Sequence, residues 1–136
     1  MSAEPTPAMN KKILVVDDND VILKTISLRL QGAGYDVITA RDGAEAVAAA
    51  RKEAPDLVLL DISFPPDVGG VQWDGFRIME WFRRIGSEKK MPIIVITGGE
   101  DVQDRARAIS GGAVAFFHKP LDHDDLLKMI RSTLGY

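Results

Sequence analysis

Asp17-Asp18, Asp61, Thr97 and Lys119 each stand at the end of a short apolar run, where a purely structural chain could use any turn residue. Together their chemistry is specific. Three carboxylates gathered in a small crevice repel one another unless a cation intervenes. Oxygen ligands with open positions suit a hard ion such as Mg2+, with Mn2+ as an alternative. A lysine ammonium opposite them supplies a point charge for a phosphoryl oxygen, and a threonine hydroxyl can donate to another. Phosphoryl transfer needs mainly positioning and charge neutralisation, and one carboxylate must then be the nucleophile. Asp61 is the candidate, because it lies on the central strand between the acidic pair and the lysine. One Asp at a strand end would read as a helix N-cap. Five polar residues falling on one edge of a sheet do not reduce to caps.

The elements that must position them alternate along the chain. Ile13-Leu14-Val15-Val16 is a continuous apolar run of the kind buried on both faces of a parallel sheet. A helix from about Asp20 to Gln31 carries Ile22, Leu23, Ile26 and Leu30 at helical spacing, with Gly32 and Gly34 as a stop. Tyr35 to Thr39 is a second strand. Asp42 and Glu45 form a capping box for an alanine-rich helix that Pro55 ends. Leu57 to Leu60 is a third strand closing on Asp61. Ile78, Met79, Phe82 and Ile85 mark a third helix, and Ile93 to Ile96 a fourth strand. Val102, Ala106 and Ile109 give a weaker fourth helix, followed by a strand over Ala113 to Phe117. Asp122 caps a last helix with Leu126, Leu127, Ile130 and Leu134 on one face. Five strands alternating with five helices imply an α/β, (βα)5 doubly wound parallel sheet with helices on both faces. In such a sheet, sites form outside the carboxyl ends of the strands.

Composition narrows the function classes. The 136 residues suit one domain, expected over residues 11–136 behind a disordered tail of residues 1–10. A net charge of −3 with no long basic run argues against nucleic acid. The absence of cysteine excludes disulfides, thiolate catalysis and cysteine-ligated zinc. The apolar runs are strand-sized, so no membrane span or signal peptide is expected and a cytoplasmic protein fits. His118 and His123 read as surface residues, and Asp122, Asp124 and Asp125 as capping groups favoured by a helix dipole.

Asp17-Asp18, Asp61 with Pro65 four residues on, Asp74-Gly75, Thr97-Gly98 and Lys119-Pro120 together resemble the response-regulator receiver family, the phosphoacceptor half of two-component signalling. The resemblance runs from about Lys11 to Leu134 and is to a single-domain, chemotaxis-regulator-like member. It implies the flavodoxin-like strand order 2-1-3-4-5, phosphorylation on Asp61, and a Mg2+ ion bound directly by Asp18, Asp61 and the Ser63 backbone carbonyl, with Asp17 acting through water. Lys119 would contact the phosphoryl group, Thr97 would be the switch hydroxyl, and Phe116 would be the switch aromatic. The Lys119–Pro120 bond would be cis. Phe116 also reads as a plain core aromatic on a buried strand. The implied partners are a histidine kinase or histidine phosphotransfer protein and a downstream protein, reached by a monomer or weak dimer that is not itself an enzyme.

The sequence departs from the family between Ser63 and Trp73, where the loop over residues 64–74 is roughly six residues longer than usual. Val71 and Trp73 would form a partner-specific patch there, or else an ordinary surface excursion. Two rivals share parts of the pattern. A haloacid-dehalogenase-like Mg-dependent phosphatase wants an Asp two residues after its nucleophile, where this chain has Ser63. A flavodoxin-like binding module wants a Ser/Thr/Gly-rich phosphate loop, where this chain has Asp17-Asp18-Asn19-Asp20.

Overall fold

The structure, a computed structural model, describes residues 11–62, 75–85, 91–98 and 102–135. The side chains of residues 75–77, 85 and 102–104 fall outside that description, as does the whole of residues 1–10 and of the 64–74 loop.

Five strands, β1 (Lys12–Val16), β2 (Asp36–Ala40), β3 (Leu57–Asp61), β4 (Ile93–Thr97) and β5 (Ala115–His118), alternate with α1 (Asp20–Gly32), α2 (Gly43–Glu53), α3 (Gly75–Ile85), α4 (Val102–Ser110) and α5 (His123–Leu134). The sheet is wholly parallel, in the order β2-β1-β3-β4-β5. Strand order therefore reverses between β1 and β3, which puts a crevice at their carboxyl ends. The implied fold class and strand order are those observed.

Side chains alternate across the sheet and divide the core in two. Leu14, Val16, Val58, Leu60 and Val95 pack against Ala46 and Ala50 of α2, Ile78, Met79 and Phe82 of α3, and Ala108 of α4. Ile13, Val15, Leu57, Leu59, Ile94 and Ile96 pack on the other face against Leu23, Ile26 and Leu30 of α1 and Leu126 and Ile130 of α5. Every residue of β3 and β4 is buried, as continuous apolar runs on inner parallel strands require.

Helix ends follow local chemistry. The Asn19 side chain caps α1 by accepting from Val21 N and Ile22 N, and Asp122 caps α5 by accepting from Asp125 N. Asp42 Oδ1 accepts from Glu45 N at 2.8 Å, while Glu45 Oε1 reaches back to Arg41 N at 3.1 Å, one residue beyond the cap itself. Ala54 ends α2 in the left-handed region (φ 47°), directly before Pro55, which cannot continue the helix.

Two expectations need correction. Among the described side chains of α4 the core residue is Ala108, not Ala106 or Ile109, while Val102 lies outside the described side chains. Ile109 is 48% exposed and Ala106 is also exposed, whereas Ala108 is fully buried. A small side chain lets a short helix approach the sheet closely, so the largest apolar residue is a poor guide to which face is inward. The start of β5 also moves. Ala113 N bonds to Ala108 O and closes the end of α4, and pairing with β4 begins only where Val114 N reaches Ile93 O.

Candidate functional site

The carboxyl ends of β1, β3 and β5 bring Asp17, Asp61 and Lys119 together, and Thr97 stands at the adjacent end of β4. Backbone pairing continues past the regular strands and fixes each position. Asp17 N donates to Ala40 O (3.1 Å), Ile62 N to Ile96 O (3.0 Å) and Lys119 N to Thr97 O (2.8 Å). The Lys119–Pro120 peptide is cis and follows directly.

Asp17, Asp61 and Thr97 are the buried polar residues among those described, each at most 2% exposed. Polar groups so placed need partners. Lys119 Nζ donates to Asp17 Oδ2 at 2.9 Å and to Asp61 Oδ2 at 3.1 Å. The other Asp17 oxygen, Oδ1, accepts from Asn19 N at 2.9 Å. Burial works against the Lys119 ammonium, but its hydrogen bonds and charge interactions with Asp17 and Asp61 outweigh that and hold its pKa above the ordinary lysine value.

Asp18 is exposed and completes the acidic set. One carboxylate oxygen from each of Asp17, Asp18 and Asp61 can be chosen so that all three lie within 4.8 Å of one another. Three converging carboxylates with one ammonium leave an excess of negative charge, and an all-oxygen donor set fits a hard divalent cation. Both Asp17 oxygens are engaged, by Lys119 and Asn19, and Asp61 Oδ2 also accepts from Lys119, while Asp18 is the exposed member of the set. Ser63, whose backbone carbonyl was the further metal ligand expected, lies outside the described residues, as do Val71 and Trp73.

Thr97 ends β4 on the face that carries Val95, by strand alternation. Phe116 pairs with Val95 in the β4–β5 register and is half-buried against the same core cluster. Thr97 and Phe116 therefore sit on the α2–α4 face of the sheet. Asp61 falls by the same alternation with Leu57 and Leu59 on the α1–α5 face. Sequence reasoning missed Asn19, which holds Asp17 through its backbone N–H while its side chain caps α1. The available signal was an Asn one residue before the first helical turn. His118 is exposed, whereas His123 is only partly so, and its Nδ1 is buried without a hydrogen-bond partner.

Comparison with known proteins gives a consistent result. A family model described as the response regulator receiver domain matches residues 13–131. The chain is 38% identical over 124 residues to the probable transcriptional regulator ycf27 of Porphyridium aerugineum, a match covering 91% of this chain and 48% of that protein. It is 30% identical to the polar-differentiation response regulator DivK of Brucella anthropi, covering 93% of this chain and 98% of DivK. Among solved structures, the Vibrio cholerae chemotaxis protein CheY4 superposes with a TM-score of 0.79 at 33% identity, covering 92% of this chain and 98% of CheY4. The chain thus spans about half the length of some curated relatives and nearly the whole of others.

Proposed function

The chain belongs to the response regulator receiver domain family, and on that premise we propose that it accepts a phosphoryl group on Asp61 from a phosphohistidine of a histidine kinase or histidine phosphotransfer protein. The observation that carries this reading is the Lys119 ammonium bridging Asp17 and Asp61, two almost fully buried carboxylates at the carboxyl ends of β1 and β3. Burial and pairing hold the Asp61 carboxylate in place and limit its access to water, which suits a nucleophile.

Each residue then has a task. Asp61 forms the new O–P bond. Lys119, kept protonated by its two carboxylate partners, neutralises charge on a phosphoryl oxygen. Asp18 and Asp61, with Asp17 beside them, would hold Mg2+, which when bound neutralises phosphoryl charge and orients the group. Thr97 donates its hydroxyl to the phosphorylated site, and Phe116 on the same face of the sheet repacks with it. The charge added to Asp61 thereby reaches the surface of α4, β5 and α5. Transfer is stoichiometric on the chain itself, which makes it a signalling protein and not an enzyme acting on other substrates. No helix among the described residues is long and apolar enough to cross a membrane.

Incubation with acetyl phosphate and Mg2+, followed by intact mass, tests this. Wild type is expected to gain one phosphoryl group and Asp61→Asn none. No gain in wild type, or an equal gain in Asp61→Asn, refutes the assignment.

A further inference from the structure

The amino edge of the sheet, remote from the acceptor, carries a cavity of about 530 Å3. Phe82 and Arg83 line it from the end of α3, and Thr133 from the last turn of α5. Met91 and Pro92, just before β4, and Val114, just before β5, complete the apolar wall. No carboxylate lines it among the described residues. The Thr133 hydroxyl is committed, donating to Met129 O at 2.7 Å. Arg84 pairs with Glu80 at 3.0 Å, whereas its neighbour Arg83 makes no ion pair or hydrogen bond among the described residues. Packing still places Arg83. Its Nε and Cδ lie 3.5 and 3.6 Å from where a Cβ on Gly112 would stand, so its stem runs along the turn between α4 and β5. Gly112 itself takes a φ of 105°, which favours glycine.

Apolar walls beside one unpaired cation complement a molecule with an apolar body and a single negative charge, and the volume is that of a small-molecule site. An aromatic body suits these walls best. Guanidinium planes stack on rings, a thioether such as that of Met91 favours ring edges, and Phe82 is itself aromatic. We propose that this cavity binds a small aromatic carboxylate, with its ring against Phe82, Met91, Pro92 and Val114 and its charge on Arg83. The planar guanidinium can donate two parallel N–H bonds to the two carboxylate oxygens. None of these walls belongs to the acceptor site, so binding requires neither Mg2+ nor phosphorylation of Asp61. An occupant would bridge α3 to α5 across the starts of β4 and β5.

The test titrates the full chain with 2-naphthoate in the absence of Mg2+, read from backbone amide shifts by NMR. Saturable shifts should gather at Gly112, Val114 and Thr133, with a Kd of about 1 mM for a ligand of this size. Arg83→Gln, at an exposed position that leaves the apolar walls intact, should weaken binding about tenfold, the value of one charge-assisted hydrogen bond. The uncharged amide, 2-naphthamide, presents the same rings and should bind wild type and Arg83→Gln alike. That comparison separates loss of the charge contact from damage to the cavity. Equal naphthoate affinity in wild type and Arg83→Gln overturns the site. So does the absence of saturable shifts at this edge, or their appearance around Asp18 and Gly98 instead.

Discussion

Asp18→Asn should stabilise the metal-free protein and destabilise it, relative to wild type, once a divalent cation is added. Carboxylate oxygens of Asp17, Asp18 and Asp61 lie within 4.8 Å of one another. Asp18 is exposed, so a solvent-like dielectric applies, and each of its two repulsions is worth roughly 0.9 kcal/mol at that distance. The Lys119 ammonium, bonded to both of its neighbours, offsets about one of them. Removing the Asp18 charge therefore releases about 1 kcal/mol, or about 3–5 °C in Tm for a domain of this size. With a cation present the balance reverses. A ligand at one hundred times its Kd adds ~2.7 kcal/mol to the native state, and the variant forfeits most of that with its most exposed ligand. Thermal unfolding followed by circular dichroism, in EDTA and in saturating Mg2+, checks both signs. A variant less stable than wild type in EDTA, or one with the full wild-type response to Mg2+, would refute the reasoning.

Two further substitutions probe the site's countercharge and the core. Lys119→Met leaves Asp17 and Asp61 buried without their ammonium and should cost roughly 3 kcal/mol near neutral pH in EDTA. Because the folded pKa of Lys119 is raised, its contribution is complete below the ordinary lysine pKa and is lost as pH rises past about 10.5. Wild-type and Lys119→Met stabilities should therefore converge above that pH in denaturant titrations, and parallel curves would count against the ion-pair assignment. Phe82→Ala, at a position 2% exposed, should lower stability by about 3–5 kcal/mol, whereas Ile109→Ser should change it by no more than about 0.5 kcal/mol. Equal urea midpoints for the two variants would contradict the described burial.

How far the sequence is legible depends on the length scale of the physics involved. The strands β1, β3 and β4 announce themselves because burial on both faces demands unbroken apolar runs, and the polar residue that ends each run marks the sheet's carboxyl edge. Asp122 and Asp42 are readable as caps because a cap is decided within four residues. The face of α4 is not readable in this way. Ala108 lies inward because of the space between α4 and the sheet, a tertiary quantity that the size of Ile109 does not report. The division of Asp17's oxygens between Lys119 and Asn19 is hidden for a similar reason. One partner is two residues away and the other is 102, and only the folded strand order brings both to the same carboxylate.

That division has a consequence for how the proposed switch works. Asp17 is tied to the α1 cap through Asn19 N and to the end of β5 through Lys119. Asp61 shares Lys119 with Asp17, and a phosphoryl group arriving on Asp61 competes for the same ammonium. Lys119 is anchored by its own backbone bond to Thr97 O, which holds its main chain at the end of β5. The responding groups in the proposed switch are Thr97 and Phe116, which by strand alternation lie on the face of the sheet opposite Asp61. A ligand shifts a conformational equilibrium only by its differential interaction with the two states. In the proposed switch the differential term would reside in the Thr97 hydroxyl, because Lys119 would contact an anion before and after transfer. In the proposed switch, phosphorylation would therefore act across the sheet toward α4 and β5.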